Sequence, residues 1–126
     1  MSPGRIPILA FAADVVAVLV FAAAGRLSHE PGEGVGALFG LAATAAPFVI
    51  GLAAAWATPN VRAAPVSLRA GGVVLAGTVV LGLLIRAAFT GRLPPTFALV
   101  TASTLAVLLL GWRGVSMLVA RRVAHN

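Results

Sequence analysis

Long apolar runs, each about the length of a membrane-crossing helix, alternate with short polar connectors along this chain. A hydrocarbon layer about 30 Å thick requires roughly 20 helical residues at a rise of 1.5 Å each. Runs of that length, bounded by charged residues or by Pro and Gly, occupy 6–25, 35–57, 70–89 and 96–119. They do not alternate apolar and polar residues as barrel strands do, so the pattern predicts four transmembrane helices.

The connectors are short, which predicts antiparallel neighbours in an all-α, up-and-down four-helix bundle formed by a single domain, 1–126. An even number of spans puts both termini on one side of the membrane. That side carries Arg5, Arg62, Arg69, Arg113, Arg121 and Arg122, and the opposite side carries Arg26, Arg86 and Arg92. Because arginine is enriched in cytoplasmic loops, this bias predicts that both termini are cytoplasmic.

The first apolar run also fits a second interpretation, a cleaved signal peptide. Arg5 precedes it and three consecutive alanines, 22–24, close to its end would suit a cleavage site, which would leave three spans. Signal-peptide cores, however, run for about 7 to 15 residues. This run is longer and has Asp14 within it, so we expect a retained first helix.

Composition supports a multi-pass protein of the cell membrane, with the lipid bilayer as its main partner. Apolar residues make up 60% of the 126 residues and charged residues 10%, and the mean hydropathy is +1.06, far from the values of a soluble domain. There is no cysteine, and two histidines with three carboxylates are too few for a usual metal site, so no metal and no cofactor are expected. A net charge of +6 indicates anionic lipid headgroups as a partner in such a protein, rather than nucleic acid.

Asp14 is the only acidic residue within a predicted span, about 12 Å from the cytoplasmic end by helical rise. A charge at such a position is costly and requires a partner or water. Arg113 on the fourth span lies about 9 Å from the same end, on a helix that neighbours the first, so an intramembrane ion pair is expected. Proton transport through Asp14 would require that pair to open. Arg86 on the third span is expected to extend toward the headgroups instead.

The opposite end of the first helix carries Arg26, Ser28 and His29, and Arg92 follows the third span. Together with Glu30, and with Arg86, which could converge with Arg92 there, this group is a candidate site for an anionic headgroup, a quinone or a carboxylate. An exposed His beside Glu is, however, more often a solvated loop residue. His29 is the only plausible general base. No Ser-His-acid arrangement, phosphate loop or metal spacing accompanies it, so we expect no enzyme activity.

Small residues predict how the helices pack. Gly36 and Gly40 form a GxxxG pattern in the second span, and Gly82 lies on a stripe of small residues in the third. Such faces allow close helix contact, either within the bundle or between copies in a homo-oligomer. Pro47 lies inside the second span and is expected to kink it.

In order and spacing, several of these residues resemble one family of small membrane proteins, the bacterial and archaeal domain of unknown function 3054 family. The resemblance covers nearly the whole chain and rests on Asp14, Gly25-Arg26, Ser28-His29, Pro47-Phe48, Gly51, Gly82, Arg86 and Gly111-Trp112-Arg113. It implies a four-helix membrane architecture and brings no established activity.

Three functional hypotheses follow from these residues, and the third, a membrane enzyme or cofactor binder acting at His29, ranks last. In the first, the protein binds or moves a small solute or a proton through the bundle, or through an oligomer of it, using Asp14, Arg86 and Arg113. In the second, it is a structural or accessory membrane subunit in which the ion pair only fixes the packing of helices.

Overall fold

The computed structural model describes residues 4–29 and 34–125, and within them the side chains of 4–25 and 38–124. These residues form five helices and no strand: α1 (Ile6–His29), α2 (Gly34–Trp56), α3 (Pro59–Ala63), α4 (Leu68–Thr90) and α5 (Pro95–His125). All except α3 are long and apolar enough to cross a membrane. The prediction of an all-α bundle with four membrane helices is confirmed.

The four long helices form a ring, in which α1 and α4 each pack against both α2 and α5. The first and last helices are therefore neighbours, as the up-and-down topology predicts. We call the end where α1 and α4 begin, and where α2 and α5 finish, the termini end. The other end, where α1 and α4 finish, is the cavity end.

Two features of the helices differ from the sequence prediction. α5 continues well past 119 to His125 and α1 past 25 to His29, because arginine and other polar residues end an apolar run without ending a helix. The second connector contains α3, which was expected to be a turn region only. Its first residue, Pro59, suits the first turn of a helix, and its Val61 is fully buried. A helix of this length is too short to show periodicity in a sequence.

Defined caps fix the ends of α4. At its start the Ser67 hydroxyl accepts a hydrogen bond from the Ala70 N–H at 3.0 Å, which satisfies a donor that the helix leaves free. At its other end Gly91 adopts a left-handed conformation with φ 72°, and its N–H donates to the carbonyl of Ala87 at 2.7 Å. This turn directs the chain toward Arg92, which lines the cavity described below.

The closest approach between helices joins α2 and α4. A Cβ atom added to Gly51 would lie 2.8 Å from the carbonyl oxygen of Gly77, and one added to Gly77 would lie 2.9 Å from the Cβ of Ala55. At Gly82 an added Cβ would collide with the ring of Phe48, which is fully buried. Contacts of this kind need glycine because the two backbones, or a backbone and a ring, touch directly.

The other predicted packing residues have different surroundings. Gly40 is partly buried, and Gly36 lies in α2 but outside the residues whose surroundings are described. Gly51 and Gly77, which form the contact between the α2 and α4 backbones, are not among the packing glycines predicted from the sequence, although Gly51 is one of the residues on which the resemblance rests. α2 remains helical on both sides of Pro47, which is buried; the kink at this residue stays a prediction.

Large apolar side chains also cover the outside of the bundle. Phe89 is 84% exposed and Val107 and Phe39 are each 72% exposed. The described part of the chain thus directs aromatic and aliphatic groups outward along its long helices. This arrangement is typical of a surface covered by lipid tails and unlike that of a soluble protein.

The approach of α2 to α4 can be tested with a pair of glycine substitutions. Gly51→Ala should lower the free energy of unfolding by about 1–3 kcal/mol, because the added methyl group meets backbone atoms that cannot rotate away. Gly72→Ala is the matched control, since an added Cβ there meets nothing within 4 Å, and alanine favours a helix by about 1 kcal/mol relative to glycine. Unfolding in mixed SDS micelles would measure both; equal stability of the two variants would contradict the close approach.

Candidate functional site

A fully buried ion pair joins the carboxylate of Asp14, on α1, to Arg113, on α5. Asp14 and Arg113 are both 0% exposed. The Arg113 guanidinium, on α5, donates from Nη1 to Oδ1 and from Nη2 to Oδ2 of Asp14, each at 2.8 Å. This is a bidentate ion pair, the geometry in which a guanidinium binds a carboxylate most strongly.

Both tryptophans of the chain also donate to this carboxylate. The indole of Trp56, the last residue of α2, donates to Oδ2 at 2.9 Å, and the indole of Trp112, on α5, donates to Oδ1 at 2.8 Å. The Trp56 ring meets Phe11 edge-on at 5.4 Å between centroids. Asp14 thus accepts four hydrogen bonds, which is about the full capacity of an ionised carboxylate. A proton, cation or solute could reach these oxygens only by displacing one of the donors.

Arg113 is equally well satisfied. In addition to its two bonds to Asp14, it donates from Nε to the carbonyl of Pro65 at 3.0 Å and from Nη1 to the carbonyl of Leu109 at 3.1 Å. Its guanidinium also lies 4.4 Å from the centre of the Trp112 ring. We call Asp14, Trp56, Pro65, Trp112 and Arg113 the Asp14 cluster; it joins α1, α2, α5 and the segment between α3 and α4.

Sequence reasoning predicted the pairing of Asp14 with Arg113 and missed the other members of the cluster. The tryptophans were not considered as donors, although an indole N–H that is buried needs an acceptor. Trp112 precedes Arg113 directly, which was a usable signal. Nothing in the sequence indicates the carbonyl of Pro65, because it lies in an irregular segment whose path depends on α3.

The Asp14 cluster lies at the termini end, where α2 finishes and α4 begins. Trp56 is the last residue of α2, and a Cβ added to Gly71, near the start of α4, would lie 2.8 Å from Cδ of Arg113. Beyond this level α1 extends for about 12 Å and α5 for about 18 Å, at 1.5 Å per residue. The ion pair therefore lies well within the length of α1 and of α5. It lies at the level where α2 finishes and α4 begins.

A cavity of about 500 Å³ lies at the cavity end of the bundle. All four long helices contribute to its walls, together with the segment between α4 and α5. Its lining consists of Phe21, Gly25, Thr44, Arg86, Thr90, Arg92, Pro94, Thr96, Phe97 and Val100. The cavity therefore combines two guanidinium groups and three threonine hydroxyls with an apolar and aromatic wall.

Arg86 is the more buried of the two arginines in this lining, since Arg92 is exposed. It is partly buried, and its guanidinium carbon lies 4.5 Å from the centre of the Phe97 ring. Within the described part of the chain, no carboxylate pairs with Arg86 and no acceptor bonds its guanidinium. Arg86 and Arg113 thus differ: both are stacked on an aromatic ring, and of the two only Arg113 has a counter-ion among the residues that the structure describes.

The other site residues predicted from the sequence either lie at the cavity end or have side chains that the structure does not describe. Arg92 lines the cavity together with Arg86, while the Asp14 cluster lies at the opposite end and does not include Arg86. Arg26, Ser28 and His29 belong to the last turn of α1, and their side chains lie outside the described residues. Among the residues described, no three carboxylate or imidazole groups lie together in a way that could hold a metal ion.

These features define a small helical membrane protein with a closed polar cluster at one end and a cationic cavity at the other. The model of the family described as Protein of unknown function (DUF3054) matches residues 11–116. The chain belongs to this family, and the resemblance drawn from its sequence is confirmed. No curated protein and no solved structure matches it. The matched segment includes both the Asp14 cluster and the cavity.

The energetic role of the Asp14 cluster can be tested by removing its charge. Asp14→Asn should destabilise the protein by about 3–5 kcal/mol, because Arg113 would remain buried without a counter-ion. The tryptophan emission should change at the same time, since an amide cannot accept all the bonds that the carboxylate accepts. Unfolding in mixed micelles, followed by tryptophan fluorescence, measures both effects.

A double variant separates the loss of the ion pair from the other effects of Asp14→Asn. Arg113→Gln combined with Asp14→Asn removes both charges together and should recover part of the lost stability. Arg121→Gln, at an exposed position of α5, is the matched control for loss of a guanidinium. Wild-type stability and emission in Asp14→Asn would show that the cluster does not hold the helices together.

Proposed function

We propose that this protein is a multi-pass protein of the cell membrane that binds a small anionic solute in the cavity at the cavity end of the bundle. The observation that carries the proposal is Arg86. Its guanidinium lies partly buried against Phe97, beside a cavity, without a carboxylate among the described residues. An anion bound there would supply the acceptors that this guanidinium lacks.

The comparison with Arg113 supports an anionic ligand. In the Asp14 cluster a guanidinium that is stacked on an aromatic ring binds a carboxylate through two parallel bonds at 2.8 Å. Arg86 offers the same planar donor edge above Phe97. A guanidinium matches carboxylate and phosphate oxygens in this bidentate way, and a partly desolvated one gains more from the interaction than one in water.

The remaining lining indicates what else the ligand carries. Phe21, Phe97 and Val100 provide an apolar wall, and the hydroxyls of Thr44 and Thr96 provide weak polar contacts. A cavity of about 500 Å³ suits a small molecule with a compact apolar body. We therefore propose a small anionic group, a carboxylate or a phosphate ester, attached to an aromatic or aliphatic body.

The proposal also specifies the side of the membrane on which the cavity opens. If both termini face the cytoplasm, as the arginine bias predicts, the cavity opens on the other side of the membrane. Movement of the ligand across the bilayer would then require the termini end to open, because the Asp14 cluster joins the helices there. A bundle of this size encloses little volume, so a complete pathway would favour a homo-oligomer.

A second candidate function is that of a structural or accessory subunit. The Asp14 cluster favours it, since every lone-pair direction of the Asp14 carboxylate is engaged by a donor from α2 or α5. A group bound in this way stabilises one arrangement of helices and is a poor carrier of protons. This candidate predicts no binding at Arg86, and the experiment below separates the two.

Binding can be measured with naphthalene-2-carboxylate and its uncharged analogue naphthalene-2-carboxamide, titrated into the protein in a non-ionic detergent. The acid should bind and the amide should bind much more weakly. Arg86→Gln should weaken binding of the acid by about ten- to hundredfold, the usual loss when a hydrogen bond to a charged group is removed. Calorimetry or the fluorescence of the naphthalene ring gives the dissociation constants.

Two variants make the result specific. Arg86→Lys keeps the charge and removes the planar fork, so it should retain part of the affinity, whereas Arg121→Gln at the termini end should leave it unchanged. Equal affinities for acid and amide, or an unaffected Arg86→Gln variant, would refute the proposal. If the acid binds, its uptake into proteoliposomes distinguishes a transporter from a binding protein.

A further inference from the structure

We infer that the termini end of the bundle is a binding surface for anionic phospholipid headgroups, with α3 lying in the headgroup layer. The surface is formed by exposed guanidinium groups on four separate parts of the chain. They belong to Arg5, Arg62, Arg69, Arg121 and Arg122, all of which are exposed. This inference does not depend on a ligand in the cavity.

The charge at this end is unbalanced. The chain contains only three acidic residues: Asp14, which is buried and paired with Arg113, and Glu30 and Glu33, which lie in the connector that leaves the opposite end of α1. No carboxylate of the described residues is therefore available to the exposed arginines of the termini end. Five positive charges on one end of so small a protein attract an anionic surface strongly.

Apolar side chains adjoin these arginines, which identifies the partner as a lipid. Leu68 is 49% exposed and precedes Arg69, while Val119 and Val123, 55% and 70% exposed, flank the two arginines of α5. A nucleic acid or an acidic peptide would cover the charges and leave these apolar groups in water. In a phospholipid leaflet, hydrocarbon lies toward the membrane centre and negative charge lies at the surface. This arrangement matches apolar side chains next to arginines.

The depth of α3 follows from the lengths of its neighbours. α1 and α5 continue past the Asp14 cluster on the side where α3 lies, and the exposed Ile8 and Leu9 show that this part of α1 is still apolar. Irregular backbone is tolerated near hydrocarbon only where its polar groups have partners.

The chain around α3 meets this condition. The Thr58 and Ser67 hydroxyls donate to the carbonyls of Ala55 and Ala64, and Arg62 and Arg113 donate to those of Ala57 and Pro65. The carbonyls of Ala55 and Ala64 also accept a backbone N–H, from Thr58 and Ser67. These four carbonyl groups thus have partners within the protein, as a position in the headgroup layer close to hydrocarbon requires.

The fluorescence of the two tryptophans can report which lipids contact this surface, because Trp56 and Trp112 both lie in the Asp14 cluster at the termini end. The protein would be reconstituted into bilayers of phosphatidylcholine with phosphatidylglycerol, with bromine on the acyl chains of one lipid at a time. Bromine quenches tryptophan fluorescence on contact, so the two series give the relative affinity of the termini end for each lipid. We expect brominated phosphatidylglycerol to quench more strongly at equal mole fraction.

The double variant R62Q/R69Q should lose most of this preference, since an arginine near an anionic surface contributes about fivefold. R92Q, which removes a guanidinium from the cavity end, is the control and should keep the preference. Circular dichroism checks that both variants remain helical. Equal quenching by the two lipids, or an unchanged preference in R62Q/R69Q, would overturn the inference. Quenching by neither lipid would also overturn it, because a second copy of the chain or another protein would then cover this end.

Discussion

The high cost of burying a charge is the constraint on which the rest of this structure depends. Asp14 and Arg113 are fully buried, and neither could remain so unless its polar atoms were satisfied. Donors from α2 and α5 and a carbonyl from the segment after α3 meet this need. Because each of them must reach one carboxylate or one guanidinium, the requirement fixes the relative positions of α1, α2, α5 and the start of α4.

The same constraint separates the two arginines inside the bundle. Arg113 occupies the end of the bundle where a carboxylate, two indoles and free carbonyls converge, and it is closed off from any ligand. Arg86 lies at the opposite end against Phe97, in a cavity whose lining also includes Arg92 and aromatic, aliphatic and hydroxyl groups. The two identical side chains are therefore in different surroundings: Arg113 joins helices through its counter-ion, and Arg86 lines the cavity.

Much of the fold was predictable because hydrocarbon thickness is a physical length that can be compared with an apolar run. Four runs of sufficient length gave the number of helices and their alternating direction, and alternating direction made α1 and α5 neighbours. From that adjacency and the helical rise, the pairing of Asp14 with Arg113 followed. Helix ends were less predictable: Arg121 and Arg122 end the apolar pattern of α5, yet the helix includes both.

The rest of the site depends on contacts that cannot be predicted from the spacing of residues in the sequence. Trp56 belongs to the cluster because α2 finishes at the level of Asp14, and the carbonyl of Pro65 belongs to it because α3 shapes the path of the connector. The cavity could not be anticipated, since its walls come from all four long helices. The sequence predicted that Arg86 and Arg92 could converge at this end of the bundle, and both line the cavity.

Two kinds of contact hold neighbouring helices together, and the cavity lies away from both. α2 and α4 touch backbone to backbone around Gly51 and Gly77, which requires no polar group. α1 and α5 are joined through the Asp14 ion pair at the termini end. Toward the cavity end α1 and α5 meet through aromatic side chains instead, with Phe21 and Phe97 6.5 Å apart between ring centroids. Both rings line the cavity, so the α1–α5 pair is joined by a polar link at one end and forms an apolar cavity wall at the other.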